Sequence, residues 1–282
     1  MKTTLLNSLL VSVEWLNEND EVSNLIVLDA TINKVIDKSS IRLPKARFFD
    51  IKKKFSDASA QFPSTLPSAE QFEKEARALG INTDSIIVVY DDKGIYSSAR
   101  AWWLFKAFGF KNIAVLDGGL PEWQKHNFRV ENYKDEIYTQ GNFKAKYNDS
   151  LMTDFIGVNA LSKTSEALVL DARSEARFKC LVDEPREGLR RGTIPNSKNL
   201  PYTLLFNGYK LKTKEELSII FNNLVEDKTK LVFSCGSGIT ACILALVASV
   251  CNYNNLIVYD GSWTEYGTLT KKIDENNRLD KR

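Results

Sequence analysis

The chain has 282 residues, of which 43% are hydrophobic and 26% charged, and its formal net charge is +2 at pH 7. This length can bury the core of one large domain or of two ordinary ones. Because acidic and basic residues are interspersed and no segment reaches the length of a membrane span, we expect neither a nucleic-acid nor a membrane partner.

Cysteine and histidine usage argues against several kinds of site. The cysteines Cys180, Cys235, Cys242 and Cys251 show neither paired nor metal-ligand spacing, and the one histidine is His126. This pattern favours a reducing compartment, and we expect a cytoplasmic protein. It also argues against a zinc site, and neither a metal nor an organic cofactor is expected.

The first half of the chain alternates strand and helix signals. The apolar run from Leu5 to Val11 is interrupted by polar residues and precedes no cleavage site, so it predicts a short strand entering a helix instead of a signal peptide. Strands are then predicted near 25–29, 86–90 and 113–116, and helices over 68–78 and 97–108. This alternation indicates an α/β fold with a mostly parallel sheet, flanked by helices on both faces.

The second half repeats the first. Leu25-Ile-Val-Leu-Asp-Ala-Thr31 returns as Ala167-Leu-Val-Leu-Asp-Ala-Arg173, and Asp117-Gly-Gly-Leu-Pro-Glu-Trp123 returns as Asp260-Gly-Ser-Trp-Thr-Glu-Tyr266. Two copies of one domain are the simplest explanation. A polar stretch without an apolar period separates them, and we predict domains over 1–133 and 156–282 with a linker over 134–155.

One cysteine ends a strand-like run in the second half. Cys235 follows Leu231-Val-Phe-Ser and precedes Gly-Ser-Gly and a helix-like segment. A cysteine at such a place is often only a small buried hydrophobe. However, Gly236 and Gly238 allow successive N–H groups to converge on one point, at which the next helix would aim its N-terminus. These dipoles favour a thiolate, so we predict that Cys235 is a nucleophile.

Two further residues restrict which substrate the protein uses and which domain is catalytic. Ala241 stands where a cysteine phosphatase would carry an arginine, which argues against a phosphate ester as substrate. Asp91 takes the place of Cys235 in the first half, and a carboxylate is no nucleophile for sulfur. The first domain is therefore expected to be non-catalytic.

The loop Cys235-Gly-Ser-Gly-Ile-Thr-Ala closely resembles the active-site loop of 3-mercaptopyruvate sulfurtransferases, which are members of the rhodanese superfamily. Arg47-Phe-Phe-Asp-Ile51, Tyr96-Ser-Ser-Ala-Arg100-Ala-Trp-Trp103 and both Asp-Gly motifs of the repeat also resemble family signatures. The resemblance implies two tandem rhodanese-like domains. Thiosulfate-using rhodaneses typically carry basic residues in this loop, whereas the loop here is neutral.

An arginine-rich insertion occurs only in the copy that holds Cys235. It includes Ala176-Arg177-Phe178 and Glu184-Pro185-Arg186, and guanidinium groups bind carboxylates bidentately. The resemblance implies that Arg177 and Arg186 bind the carboxylate and carbonyl of the substrate. Arg190 and Arg191 are expected to be surface charges and Arg173 to be structural.

The resemblance implies sulfur transfer from 3-mercaptopyruvate, through a persulfide on Cys235, to thioredoxin, a small thiol or cyanide, with release of pyruvate. The N–H groups of Gly236, Gly238, Ile239 and Thr240 are expected to hold the persulfide, and Ser237 to assist proton transfer. Family members often add a histidine and an aspartate to this relay, where the chain has Ser64 and Lys52. Two alternatives stay open: thiosulfate:cyanide sulfurtransfer, and a persulfide carrier or regulatory module without turnover.

Overall fold

The structure, a computed structural model, describes residues 6–37, 39–134 and 136–279, with side chains in the last helix described through Thr270. Residue contacts divide the chain into two compact units. The first unit contains the chain through Ser59, Leu66–Asn148 and Phe206–Lys212, and the second contains Ala60–Thr65, Asp149–Leu205 and the chain from Thr213 onward. Each unit therefore includes a short segment from the other half of the sequence, and the predicted domain boundaries stay a prediction.

The first unit contains a five-stranded sheet whose neighbouring strands are all parallel, in the order β1-β6-β5-β2-β4. Its elements are β1 (Leu10–Val11), α1 (Val13–Glu18), β2 (Leu25–Asp29), β3 (Ile41–Arg42), β4 (Arg47–Phe48), α2 (Ala69–Ala78), β5 (Ile86–Tyr90), α3 (Ser98–Ala107), β6 (Ile113–Leu116), α4 (Gly119–Lys125) and β7 (Glu131–Asn132). The short strands β3 and β7 pair antiparallel beside this sheet.

The central strand β5 explains why this sheet is covered on both faces. All five of its residues, Ile-Ile-Val-Val-Tyr, are buried. Val88 and Tyr90 pack in one core cluster with Leu16 of α1 and Trp123 of α4. Because side chains alternate along a strand, Ile87 and Val89 face the opposite side. A strand that is apolar at every position is typical of a parallel sheet with two helical layers.

The second half of the chain contains β8 (Met152–Thr153), α5 (Phe155–Leu161), β9 (Ala167–Asp171), α6 (Glu175–Phe178), β10 (Lys198–Asn199), β11 (Phe206–Asn207), β12 (Lys210–Leu211), α7 (Lys214–Val225), β13 (Lys230–Ser234), α8 (Ala241–Val250), β14 (Leu256–Tyr259) and α9 (Ser262–Leu279). Short 3₁₀ helices occupy Asp149–Leu151 and Tyr202–Leu205. The hairpin β11–β12 belongs to the first unit, where the N–H of Leu211 donates to Oδ1 of Asp117 at 2.9 Å.

The second sheet has the order β10-β9-β13-β14-β8 and is again parallel throughout. Matching each strand to its counterpart in the first unit gives the same topology. Asp29 pairs in register with Tyr90, and Asp171 pairs in register with Ser234. The predicted α/β fold class with two parallel sheets is confirmed. The first sequence position beyond the matched strands β5 and β13 is thus equivalent in the two units, and it is Asp91 in one and Cys235 in the other.

The local predictions agree closely with the observed elements. The strands predicted near 25–29, 86–90 and 113–116 are β2, β5 and β6, and the two predicted helices are α2 and α3. Ser68 caps α2, since its Oγ accepts from the N–H of Gln71 at 3.1 Å. At the amino terminus, β1 leads into α1, while Lys2 and Leu5 lie outside the described residues. No helix in the described part of the chain is long and apolar enough to cross a bilayer.

Candidate active site

Cys235 is the first residue of the loop that joins β13 to α8, and it lies at the carboxyl end of the central strand of its sheet. Cys235 is 2% exposed, whereas Gly236 and Ser237 are partly exposed. Gly238 has φ +76°, a conformation that favours glycine. The loop therefore presents the cysteine just beneath its own partly exposed backbone, where ligands of parallel α/β sheets usually bind.

Ser262, the first residue of α9, contacts Cys235 directly. Its Oγ accepts hydrogen bonds from the N–H groups of Cys235 (3.0 Å) and Gly238 (3.1 Å). Its hydroxyl hydrogen has two acceptors, the carbonyl oxygen of Tyr259 at 3.0 Å and Sγ of Cys235 at 3.9 Å. Ser262 is 0% exposed and has φ +49°, a strained conformation for a residue with a Cβ. Such strain in a serine that contacts the thiol indicates that the hydroxyl is needed there.

The first turn of α9 also takes up two carbonyl groups of the loop. The N–H of Trp263 donates to the oxygen of Cys235 at 3.0 Å, and the N–H of Thr264 donates to the oxygen of Gly236 at 2.9 Å. By contrast, the N–H groups of four loop residues donate to no partner within the described ranges: Gly236, Ser237, Ile239 and Thr240. Helix α9 thus holds the loop through two of the loop's carbonyl oxygens, and four of the loop's N–H groups are left to bind a ligand. The N–H of Gly238, which was also predicted to hold the persulfide, already donates to Oγ of Ser262.

The matching loop of the first unit contains its own anion. Oδ2 of Asp91 accepts from the N–H groups of Tyr96 (2.7 Å), Ser97 (3.0 Å) and Ser98 (2.8 Å), and from Oγ of Ser98 (2.7 Å). Its Oδ1 accepts from the N–H of Lys93 at 2.9 Å. The residue is fully buried. A loop of this design therefore solvates an anion that follows the strand, and in the first unit a built-in carboxylate fills it.

A buried ion-pair network connects the arginine insertion to the sheet. Arg173 donates to Oδ2 of Asp171 at 2.6 Å and to Oε1 of Glu184 at 2.7 Å, and its guanidinium lies 4.9 Å from the ring centroid of Trp263. Desolvation lowers the pKa of Arg173, but hydrogen bonds and charges from Asp171 and Glu184 outweigh it and raise the pKa overall. Arg173 is accordingly charged and structural, as predicted.

Arg177 is the arginine that reaches the cysteine loop. Its Nη2 donates to Oε2 of Glu184 at 2.5 Å, and its side chain is 25% exposed. A Cβ built on Gly236 would lie 3.1 Å from the same Nη2 atom. The guanidinium therefore packs against the loop backbone directly after Cys235, and the absence of a side chain at position 236 makes room for it.

The other arginines of the insertion differ from one another. Arg186 is exposed and makes no ion pair or side-chain hydrogen bond within the described ranges, so the structure does not join it to the loop as it joins Arg177. Arg191 is exposed and pairs with Asp183 at 2.8 Å, as expected of a surface charge. Arg190 corrects the prediction, because it stacks 4.8 Å from the ring centroid of Trp263 and donates to the carbonyl of Gly267.

Four other residues that were named from the sequence are His126, Cys242, Lys52 and Ser64. His126 is the C-cap of α4, and Cys242 is fully buried in α8. Lys52 is exposed. Ser64 is buried and belongs to the short segment Ala60–Thr65 that is grouped with the second unit.

The family follows from sequence comparison. A model of the rhodanese-like domain matches residues 12–126 and 158–268 of this chain. The chain belongs to the rhodanese family. The two matched stretches contain the two repeats, so the tandem arrangement inferred from the sequence motifs is confirmed.

Named relatives cover most of this rhodanese-family chain. The 3-mercaptopyruvate sulfurtransferase of Escherichia coli (strain K12) is 36% identical over 266 residues, which cover 91% of this chain and 94% of the relative. Thiosulfate/3-mercaptopyruvate sulfurtransferase 1, mitochondrial, of Arabidopsis thaliana is 35% identical over 288 residues, which cover 92% and 76%. The crystal structure of the 3-mercaptopyruvate sulfotransferase SseA from Escherichia coli matches with a TM-score of 0.80 at 33% identity, and the match covers 91% of this chain and 99% of that one.

Two residues of this rhodanese site escaped the sequence reasoning. The repeat aligns Ser262 with Gly119 of the first half, and nothing in that alignment indicates a contact between its hydroxyl and the thiol. Glu184 stands in the same insertion as Arg177, but sequence reasoning gave no reason to bury its carboxylate between two arginines. Both were missed because their roles depend on contacts across the fold.

Proposed function

We propose that this chain is a sulfurtransferase that moves sulfur from 3-mercaptopyruvate, through a persulfide on Cys235, to a thiol acceptor or cyanide. The observation that carries the proposal is the pairing of Cys235 with a loop that has four N–H groups to spare, next to the guanidinium of Arg177. The Asp91 loop supports it, because N–H groups at the equivalent place in the first unit bind a carboxylate. The names of the full-length relatives support the same chemistry.

In the first step, the Cys235 thiolate attacks the sulfur of the donor. The carbon–sulfur bond breaks, its electron pair leaves with pyruvate as an enolate, and protonation of the enolate completes the product. Arg177 is proposed to bind the donor's carboxylate and to stabilise the enolate charge, and Arg186 to close over the same substrate from its exposed position. Ser237, which is partly exposed beside Cys235, is proposed to assist the proton transfer.

In the second step, an acceptor thiolate or cyanide attacks the outer sulfur of the persulfide. A new bond to that sulfur forms, the sulfur–sulfur bond breaks, and Cys235 leaves as a thiolate. The N–H groups of Gly236, Ser237, Ile239 and Thr240 are proposed to hold the persulfide in between. Thioredoxin or a small thiol is the proposed acceptor, in a reducing, cytoplasmic setting.

A donor comparison tests the proposal against its first rival. We expect mercaptopyruvate to give a higher kcat/KM than thiosulfate, because the loop carries no basic residue for a dianion. Pyruvate should appear in step with thiocyanate when cyanide is the acceptor. A higher kcat/KM with thiosulfate would favour thiosulfate:cyanide sulfurtransfer. Mass measurement should find one added sulfur on Cys235; a persulfide that forms and never turns over would favour the carrier alternative.

The two proposed substrate arginines can be tested against a matched control. Arg177→Ala should lower kcat/KM for mercaptopyruvate by about 10- to 100-fold, the worth of a hydrogen bond to a charged group. Arg186→Ala should cause a smaller loss, mainly in KM. Arg191→Ala removes an exposed arginine from the same insertion and should leave kcat/KM unchanged. Equal activity of the Arg177 variant and this control would remove Arg177 from the site.

A further inference from the structure

Glu184 is a buried carboxylate that the proposed reaction does not use. Its side chain is 1% exposed, although it stands in an insertion whose neighbouring residues, Asp183 and Pro185, are exposed. Its Oε1 lies 2.7 Å from Nη1 of Arg173, and its Oε2 lies 2.5 Å from Nη2 of Arg177. One carboxylate thus bridges an arginine that is anchored to the sheet and the arginine that reaches the Cys235 loop.

The bridge fixes which edge of Arg177 faces a ligand. Nε of Arg177 lies 3.3 Å from Oε1 of Glu184, so the Nε–Nη2 edge of the guanidinium is taken by the carboxylate. Nη1 donates to no partner within the described ranges, and the second hydrogen of Nη2 lies on the same side as Nη1. The Nη1–Nη2 edge is therefore the one left to bind a planar carboxylate with two parallel hydrogen bonds.

Glu184 also sets the net charge beside the loop. Asp171 and Glu184 carry two negative charges, and Arg173 and Arg177 carry two positive ones, so this cluster is neutral. The Cys235 loop itself contains no lysine, arginine, aspartate or glutamate. A donor with one negative charge can use the directed hydrogen bonds of Arg177. A dianion gains no uncompensated positive charge from the cluster.

We infer that Glu184 is a positioning and specificity-determining residue, which aims the Nη1–Nη2 edge of Arg177 at the donor and cancels its charge so that monoanionic keto acids are preferred over dianions. The inference rests on the proposed function, since it concerns the donor of that reaction. Glu184 acts through Arg177 and contacts no reacting atom.

Two variants of Glu184 separate the orientation of Arg177 from the net charge of the cluster. Glu184→Asp keeps the charge but shortens the reach by one methylene, so Arg177 is aimed less well. The kcat/KM for mercaptopyruvate should fall about three- to tenfold, mainly through KM, and thiosulfate kcat/KM should stay the same. Glu184→Gln loses aim and charge together, because its amide keeps one acceptor oxygen and turns N–H donors toward one of the two arginines. It should raise the mercaptopyruvate KM about tenfold and also raise thiosulfate kcat/KM several-fold.

Controls distinguish this role from simple support of the fold. Glu187→Gln changes an exposed glutamate of the same insertion and should leave both donors unaffected. The rate at which preformed Cys235 persulfide is discharged by cyanide should be the same in all variants, whereas general damage to the site would slow it. If Glu184→Gln does not fold, the Glu184→Asp split between KM and kcat still decides on the positioning role.

The inference is overturned if both variants keep the donor ratio of the unmodified protein, or if both donors and the cyanide step decline together. Failure of the proposed function would look different, because the unmodified protein itself would then release no pyruvate from mercaptopyruvate.

Discussion

The loop after β5 (91–97) and the loop after β13 (235–240) hold equivalent places in their sheets, but they differ in length and in their first residue. In each unit, the carbonyl oxygen of that first residue accepts a hydrogen bond from an N–H group in the first turn of a later helix. Leu120 of α4 donates to Asp91, and Trp263 of α9 donates to Cys235, both at 3.0 Å. In the first unit the loop N–H groups bind the Asp91 carboxylate, and in the second, four of them have no partner within the described ranges. The repeat thus places a loop with several N–H donors after each central strand, and the first unit fills its loop with a built-in carboxylate.

A second difference lies in the residue that supports each loop. Gly119 has φ +53°, and a Cβ there would lie 2.5 Å from the backbone oxygens of Asp91 and Gly94. Ser262 occupies the equivalent position with φ +49°, and its Oγ contacts the cysteine. The second unit therefore has a side chain on a strained backbone where the first has none, and that side chain contacts the thiol.

The largest expected effect on activity comes from removing the nucleophile of the second loop. Cys235→Ser should abolish sulfur transfer, because a hydroxyl at this position is not ionised and forms no persulfide. The expected Tm is within a few degrees of that of the unmodified protein, since the volume change is small. The double variant Asp91→Cys/Cys235→Ser should also be inactive, as the first unit lacks the arginine insertion and Ser262. Turnover by either variant would contradict the assignment.

Removal of the built-in anion tests the other loop. Asp91→Ala removes the acceptor of five hydrogen bonds, from four N–H groups and the hydroxyl of Ser98, and should lower the free energy of unfolding by about 2–4 kcal/mol. Urea unfolding measures this loss, and Asp91→Asn, which retains one acceptor oxygen, should lose less. At temperatures well below Tm, kcat/KM for mercaptopyruvate should be unchanged. A neutral effect of Asp91→Ala on stability would show that its hydrogen bonds are replaceable.

The support from Ser262 should affect the thiol before it affects the fold. Ser262→Ala removes the acceptor of the Cys235 and Gly238 N–H groups, and we expect kcat/KM to fall by about tenfold or more. Alkylation of Cys235 at one fixed pH should slow, since the loop that presents the thiol loses its contacts with the Ser262 hydroxyl. Ser249→Ala, which removes a hydroxyl bonded to Ala245 in α8, is the control. An unchanged alkylation rate would restrict Ser262 to a structural role.

The smallest expected effect is a pH dependence in the first unit. Burial raises the pKa of Asp117, and the N–H of Leu211 opposes this only in part. A carboxyl whose folded pKa is raised stabilises the fold fully below its unfolded pKa, near 4, and loses that contribution as pH rises through the folded pKa. Asp117→Asn lacks this loss, so its stability relative to the unmodified protein should increase from about pH 4 to pH 7. A pH-independent difference in urea unfolding would contradict it.

Much of the fold was readable along the chain. The fully apolar run of β5 and the Ser68 cap of α2 predicted their elements within a residue, because strand burial and capping depend on neighbours in sequence. The repeat predicted two sheets, and the paired registers of β2 and β9 agree with it. The position of Cys235 at the carboxyl end of its strand followed from the same pattern.

The sequence alone determined that a cysteine follows a central strand, that glycines make its loop, and that arginines accompany it in one copy only, since each of these is a matter of local order. Only the tertiary structure decided that Ser262 contacts the thiol, that Gly238 is already engaged, and that Glu184 binds Arg177 while Arg186 stays exposed. Those outcomes depend on which groups meet across the sheet and on burial, which sets the strength of charges and hydrogen bonds but leaves no periodic mark along the chain.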